Sequence, residues 1–340
     1  MEVERGVACL AKAAVGNALW DLWARIENKP VWKLLTDMTP EQLVSNINLK
    51  YKFFSSTDFI TEEEAIKMLR ENEKYEEEYE KMLKRDGYPA YISNVGSVKY
   101  SNQKIKDTCR NYVKLEVVQV KYKPFWVEEA LHPDDVVGYD NKEFEKLKGI
   151  TLAGGETYGN CVEIKQVLEK HTFNFLKISL ARLAINDALA AYFMAKKNET
   201  PICPHTGGLG LCEMAQHLQM WDFICLSQST QNRLIEFIDY KHGYFVNPVH
   251  IINGRYMPPT LPGYSTMFKQ KVIERWSYPS GSRWRHLFHL GFPTYFQRKK
   301  QQEEKGERKC RRGFPTRKSE NKQTEREKKE ETQETEEKIK

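Results

Sequence analysis

Acidic residues and a histidine follow short apolar stretches at regular intervals through the middle of the chain. Glu128 and Glu129 end one such stretch, and Glu156, Ser179 and His205 end the next three, at steps of 28, 23 and 26 residues. Each step equals about one strand-plus-helix unit, and equivalent ends of successive parallel strands meet at one face of an α/β barrel. Two glutamates and a histidine that converge there predict a site for metal binding and acid–base chemistry.

The same residues also allow a purely structural interpretation. Glu129 and Glu156 could cap helices or lie in loops, and His205 could be a partly buried histidine with ordinary hydrogen-bond partners. The glycine-rich stretch 207–210 precedes a helix, so it could bind an anion or form a plain turn. Spacing alone leaves these alternatives open.

The elements that must position these residues alternate between strands and helices. Apolar residues at helical spacing predict a helix over 8–26. Thr61 and Glu64 form the capping-box pattern of a second helix, which Gly87 ends. Strands are predicted at 47–54, 88–93, 125–128, 150–153, 175–178, 202–203 and 224–227, and further helices at 141–148, 158–171, 183–198 and 209–221. This alternation implies right-handed βαβ units and a parallel sheet.

The composition is that of a globular protein. Of 340 residues, 40% are hydrophobic and 29% charged, which suffices for the core of one large domain or two smaller ones. No run of about 18 apolar residues exists, so no membrane-spanning helix is expected. The N-terminal residues lack the features of a signal or transit peptide. Seven cysteines, an odd number, indicate a reducing compartment, and Cys203 and Cys212 are expected in the core rather than as zinc ligands.

The formal net charge of +6 comes mainly from the end of the chain. Residues 299–340 hold 15 Lys and Arg against 11 Asp and Glu, which leaves a net charge of +2 for residues 1–298. This tail has few apolar residues, so it is predicted to be disordered, either as a solvated tail or as a docking segment. Its mixed charges suit phosphate poorly, and no nucleic-acid partner is expected.

Several sequence motifs of the chain occur together in one known family of enzymes. They are residues 18–35, 125–129 (Phe-Trp-Val-Glu-Glu), 154–156 (Gly-Gly-Glu), 203–213 (Cys-Pro-His-Thr-Gly-Gly-Leu-Gly-Leu-Cys-Glu) and 256–265. Together they resemble the enolase superfamily, in its L-fuconate dehydratase branch. Residues 18–35 are similar to the helix that closes the capping domain of these enzymes, and residues 125–129 and 154–156 resemble two of their barrel strand ends. The resemblance covers about residues 7–288.

The resemblance implies an α/β fold: an incomplete (β/α) barrel of the enolase-superfamily type, with a remnant of the α+β capping domain and a disordered tail. The expected division has four parts. They are the last helix of the capping domain at 1–36, a connecting loop and helix at 37–86, the partial, metal-binding catalytic barrel at 87–290, and the charged tail at 291–340.

The resemblance also implies a reaction and its residues. Mg²⁺, held by Glu128 and Glu156, would bind the carboxylate of an acid sugar while the proton α to it is removed, and loss of a hydroxyl would give a 2-keto-3-deoxy acid. Glu129 would be a second acid beside Glu128 that serves substrate binding. His205 would be the general acid/base facing the leaving group, and Glu236 the substrate-binding glutamate after the last strand.

The chain also departs from the family pattern. Only 34 residues separate Ser93 from Glu128, so two βα units are missing or collapsed, with the first metal-binding Asp and the Lys-x-Lys base. Lys121 and Lys123 mimic that base motif but adjoin the Glu128 strand, and Ser179 replaces the Asp that orients the histidine. We therefore expect an impaired dehydratase, mitochondrial or cytoplasmic, that can form a homo-oligomer. The alternative is an inactive variant that acts as a binding or dimerising partner.

Overall fold

The structure, a computed structural model, describes residues 6–47, 49, 59–93, 125–133, 135, 138 and 151–290. The predicted helix at 141–148, most of the predicted strand at 47–54, Lys121, Lys123 and the charged tail lie outside these residues. The chain divides into two compact units, Met1–Lys269 and Gln270–Lys340.

Helices form the described N-terminal part of the chain. Thr61 Oγ1 accepts a hydrogen bond from the Glu64 backbone, and the Glu64 carboxylate accepts one from the Thr61 backbone, which confirms the predicted capping box. Gly87 ends the last of these helices with φ of 68°, a conformation that favours glycine. The helices are α1 (Val7–Ile26), α2 (Val31–Thr36), α3 (Pro40–Ser45), α4 (Glu62–Asn72) and α5 (Glu76–Asp86), with a 3₁₀ turn at Glu73–Tyr75.

Parallel strands form the centre of the first unit. They are β1 (Tyr88–Tyr91), β2 (Val127–Glu128), β3 (Leu152–Gly154), β4 (Phe175–Leu176) and β5 (Ile235–Glu236). β2, β3 and β4 pair in parallel in that order, and Ile202 adds a parallel bridge to Leu176. β1 pairs in parallel with β5, so the first described strand of the barrel meets the last.

An antiparallel hairpin extends the β5–β1 sheet. It consists of β6 (His250–Ile252) and β7 (Arg255–Met257), and β7 pairs with β1 at Tyr88 and Pro89. β1 therefore has neighbours on both sides, whereas β2 pairs with β3 alone as far as the chain is described. These parallel strands, with helices between them, form the α/β fold expected from the sequence.

Helices cover the strands in the alternating order that the sequence predicts. α6 (Cys161–Glu169), α7 (Ile185–Lys197) and α8 (Leu211–Trp221) confirm the helices expected at 158–171, 183–198 and 209–221. The prediction of a strand at 224–227 is wrong, because Asp222–Leu226 form a π-helical turn that continues α8. The next strand along the chain is β5. A short, fully buried apolar run has no periodicity that separates a strand from a helix, which explains the error.

Asn17 anchors α1 to the barrel. Its side-chain nitrogen donates to the carbonyls of Leu180 and Leu183, and its side-chain oxygen accepts from the Ile185 backbone at the start of α7. One buried amide thereby satisfies three backbone groups at a helix start, where such groups lack partners within the helix.

The second unit holds α9 (Gln270–Trp276) and α10 (Ser282–His289). Tyr278, in the connection between them, packs edge to face against Trp284 of α10. In the described part of the chain, no helix has both the length and the apolar character needed to cross a membrane. The described cysteines are buried, and Cys203 and Cys212 lie in the core as expected.

Candidate active site

The site is built from side chains at the carboxyl ends of the parallel strands. Glu128 is the last residue of β2, and Glu156 follows β3 by two residues. Lys177 directly follows β4, His205 lies beyond the bridge at Ile202, and Glu236 ends β5. Because the strands run in parallel, these ends lie at one face, and the predicted convergence of Glu128, Glu156 and His205 is observed.

Glycines let the strand ends turn toward the site. Gly155 has φ of 117°, and a Cβ there would lie 3.0 Å from the carbonyl oxygen of Lys177. A Cβ at Gly207 would lie 2.5 Å from the ring of His205, so the glycine leaves room for the imidazole. The stretch 207–210 thus forms a turn that packs against the histidine.

Glu128, Glu156 and His205 form a compact group. One carboxylate oxygen from each glutamate and one imidazole nitrogen all lie within 4.8 Å of one another. Nδ1 of His205 is 2.7 Å from Oε2 of Glu156 and 3.4 Å from Oε2 of Glu236. The short contact to Glu156 is bent rather than linear, so Nδ1 lacks a well-aligned hydrogen-bond partner among the described residues.

The carboxylates shift the pKa of the histidine. Burial lowers the pKa of His205, but the close contact and charge of Glu156, with the charge of Glu236, outweigh it and raise that pKa above 6.5. Burial raises the pKa of Glu156, but the same pairing with His205 lowers it below 4.5. Each partner therefore favours the charged form of the other.

Glu128 and Glu129 behave in the opposite way. Burial is the main cause of a raised pKa for Glu128, and the charges of Glu236 and Glu156 add to it against the attraction of Lys177. Burial and the charges of Glu156 and Glu128 likewise raise the pKa of Glu129. Glu129 has φ of 45°, and its Oε1 has no hydrogen-bond partner among the described residues. The site thus combines two carboxyls whose pKa is raised with one whose pKa is lowered.

Glu236 lies deeper than the sequence predicted. It is the last residue of β5 rather than a residue beyond it, and only 2% of its surface is exposed. Oε2 accepts a hydrogen bond of 2.7 Å from the Thr206 backbone, and Oε1 accepts one from the Ser93 hydroxyl. These bonds orient the carboxylate beside His205, and substrate binding by Glu236 stays a prediction.

Lys177 is a site residue that the sequence did not reveal. Its side chain is fully buried, and Nζ lies 3.4 Å from Oε1 of Glu128 and 3.7 Å from Oε2 of Glu236. Spacing drew attention to Ser179 instead, two residues further along the same strand end. Ser179 is buried and its carbonyl accepts from the backbones of Arg182 and Leu183, so it starts the turn into α7.

The donor set fits a divalent cation. Two carboxylates and a buried imidazole nitrogen without an aligned partner lie close enough to share one ion. Carboxylate oxygens suit Mg²⁺, while an imidazole ligand suits Mn²⁺ or Zn²⁺ better. Glu128 and Glu156 are the residues that would hold such an ion, and His205 would lie next to it.

Comparisons with known proteins identify the family of this chain. Residues 110–272 match the family described as enolase C-terminal domain-like. The chain is 38% identical to mitochondrial enolase superfamily member 1 of Homo sapiens, over 84% of this chain and 75% of that protein. It is 34% identical to an L-galactonate dehydratase of Hypocrea jecorina, over 81% of this chain and 72% of the relative. The chain therefore belongs to the enolase superfamily.

A solved structure gives the same result. The crystal structure of human mitochondrial enolase superfamily member 1 superposes with a TM-score of 0.77 over 84% of this chain and 75% of the other. The sequence match to the human protein spans 336 aligned positions, more than the matched 84% of this chain can fill. The relative therefore carries residues inside the matched region that this chain lacks.

Proposed function

We propose that this chain is an acid-sugar dehydratase, a hydro-lyase that removes water from a sugar acid such as L-fuconate or L-galactonate. Membership of the enolase superfamily and similarity to a relative named L-galactonate dehydratase support the proposal. The observation that carries it is the contact between His205 and Glu156 at the strand ends, with Nδ1 2.7 Å from Oε2. The relatives named mitochondrial favour that compartment, with the cytoplasm as the alternative.

His205 is the general acid in this proposal. Glu156 and Glu236 raise its pKa, which favours the protonated imidazole that can give a proton to a departing hydroxyl. The substrate loses a proton from the carbon next to its carboxylate and a hydroxyl from the following carbon. The hydroxyl leaves as water with the proton from His205, and a solvent water accepts the α-proton in place of a dedicated base. Proton exchange with solvent restores His205, so the net loss is one water, and the enol that forms becomes a 2-keto-3-deoxy acid without any oxidant or reductant.

The glutamates prepare the substrate's carboxylate for this step. Glu128 and Glu156 would hold a divalent cation, which would supply Lewis-acid stabilisation of the negative charge that develops when the α-proton leaves. Glu129, whose pKa is raised, can donate a hydrogen bond to a substrate oxygen while it is protonated. Glu236 keeps the histidine oriented through its own bond to the Thr206 backbone.

The rate is expected to be low, because the motifs expected for the α-proton base and the first metal-binding Asp are missing from the sequence. General acid–base catalysis contributes about 10²–10⁴-fold, so the loss of a dedicated base lowers turnover by a factor of that order. Lys121 and Lys123, which resemble the base motif, lie outside the described residues.

The test is direct detection of the keto acid. The full chain is incubated with Mg²⁺ and either L-galactonate or L-fuconate, and the product is trapped with semicarbazide and measured by absorbance. We expect slow product formation that is lost in His205→Asn and Glu156→Gln. His171→Asn is the matched control, since His171 is an exposed histidine with φ of 49°, a conformation that asparagine tolerates. Equal signal in all variants would contradict the roles of His205 and Glu156, and no signal in the wild type would favour the inactive binding partner instead.

A further inference from the structure

The Lys177 side chain is surrounded by residues of three other strands, an arrangement called here the Lys177 cage. Nζ donates a hydrogen bond to the hydroxyl of Tyr91 on β1, and it lies near Glu128 on β2 and Glu236 on β5. It is also 4.8 Å from the ring centroid of Tyr91 and 5.8 Å from that of Trp126. The side chain is fully buried, so its position is fixed by these contacts rather than by solvent.

This arrangement puts a built-in cation beside a candidate metal ligand. Nζ of Lys177 is 3.4 Å from Oε1 of Glu128, which is within the range of an ion pair. Glu128 is also one of the two carboxylates that would hold a divalent ion. At this distance the Lys177 ammonium partly neutralises the Glu128 carboxylate, which a metal ion would otherwise bind. The ammonium also repels the metal ion directly.

We propose that Lys177 determines the affinity of the Glu128–Glu156–His205 group for divalent cations, by acting as an internal counter-ion to Glu128. The inference rests on the metal site of the proposed function, and it adds the residue that limits occupancy of that site. With Lys177 in place the group binds a divalent ion weakly, and with a neutral residue in its place it binds tightly.

The experiment measures metal binding without substrate. Mn²⁺ is titrated into the full chain and its free concentration is followed by electron paramagnetic resonance. The Lys177→Met variant is expected to bind Mn²⁺ about tenfold or more tightly than the wild type, and adding Glu128→Gln should remove this gain. Lys67→Met is the matched control, since it removes one positive charge at an exposed position on α4.

A second, charge-balanced comparison avoids the misfolding that the single variant could cause. Removal of Lys177 alone leaves Glu236, 2% exposed, without its cation, and an unpaired buried charge can prevent folding. Lys177→Met combined with Glu236→Gln removes one charge of each sign, and its affinity is compared with that of Glu236→Gln alone. Tighter Mn²⁺ binding in the double variant supports the proposal.

Equal affinities in both comparisons, or no Mn²⁺ binding by any variant, overturn it. Because turnover is measured separately, a chain that fails to dehydrate sugar acids but gains metal affinity on loss of Lys177 would refute only the proposed function.

Discussion

Nδ1 of His205 lies 2.7 Å from Oε2 of Glu156, although the two residues are 49 positions apart and follow different strands. Each partner changes the other, since the carboxylate raises the pKa of the imidazole and the imidazole lowers the pKa of the carboxylate. The pair therefore links the stability of the barrel to pH as well as supplying the proposed acid.

The first prediction concerns that linkage. The raised pKa of His205 stabilises the fold fully below the ordinary value of 6.5, and this stabilisation is lost as pH rises through the raised value. The lowered pKa of Glu156 stabilises the fold at pH values above 4.5, and this stabilisation is lost as pH falls through the lowered value. We expect the difference in free energy of unfolding between wild type and His205→Asn to be larger at about pH 6 than at about pH 9. Urea titrations at both pH values measure it, and a difference independent of pH contradicts the pairing.

The second prediction concerns a buried histidine elsewhere. Burial lowers the pKa of His217 to about 3, and its Nδ1 accepts a hydrogen bond of 3.2 Å from the Trp32 backbone. Its imidazole should stay neutral from about pH 4 to pH 8, while that of His205 titrates above 6.5. Nitrogen-15 NMR of the histidine rings distinguishes them. A midpoint near 6.5 for His217 would falsify its assignment as a neutral core residue.

The third prediction concerns metal and stability. A cation that binds only the folded chain raises its free energy of unfolding, by about 2.7 kcal/mol when its free concentration is a hundred times Kd. We expect millimolar Mg²⁺ to raise the melting temperature slightly, because Lys177 opposes binding, and Mn²⁺ to raise it more. Circular dichroism melts with and without EDTA measure the shift. It should vanish in Glu128→Gln and Glu156→Gln and persist in the control Glu77→Gln, an exposed position on α5.

The fourth prediction concerns the attachment of α1. Asn17→Ala removes three buried hydrogen bonds and leaves backbone groups near the start of α7 without partners. A buried group left without a partner costs about 1–3 kcal/mol, so the variant should lose at least that much stability. Asn46→Ala, which loses one exposed local bond, is the control and should change stability by less than about 0.5 kcal/mol. Urea unfolding of both variants gives the comparison, and equal losses would show that Asn17 is not the anchor.

Much of the fold and part of the site follow from the sequence. The helix α1 and the capping box at Thr61 depend on local patterns, and the convergence of Glu128, Glu156 and His205 depends on the regular length of βα units. Lys177 could not be found this way, because its role depends on which strands meet around it rather than on its place in the chain. The sequence pattern predicts a strand where Asp222–Leu226 form a π-helical turn, because a run of fully buried residues shows no periodicity that separates the two.

The parallel pairing of β1 with β5 also constrains when the site can form. Ser93 hydrogen-bonds to Glu236 across 143 positions, and Lys177 reaches Tyr91 across 86. A chain emerging from the ribosome can form α1 to α5 early, but it cannot complete the Lys177 cage until Glu236 has been synthesised. Contacts between such distant residues are slow to form, so assembly of the catalytic face should be a late event in folding, when half-built barrels still expose strand edges to chaperones or to aggregation.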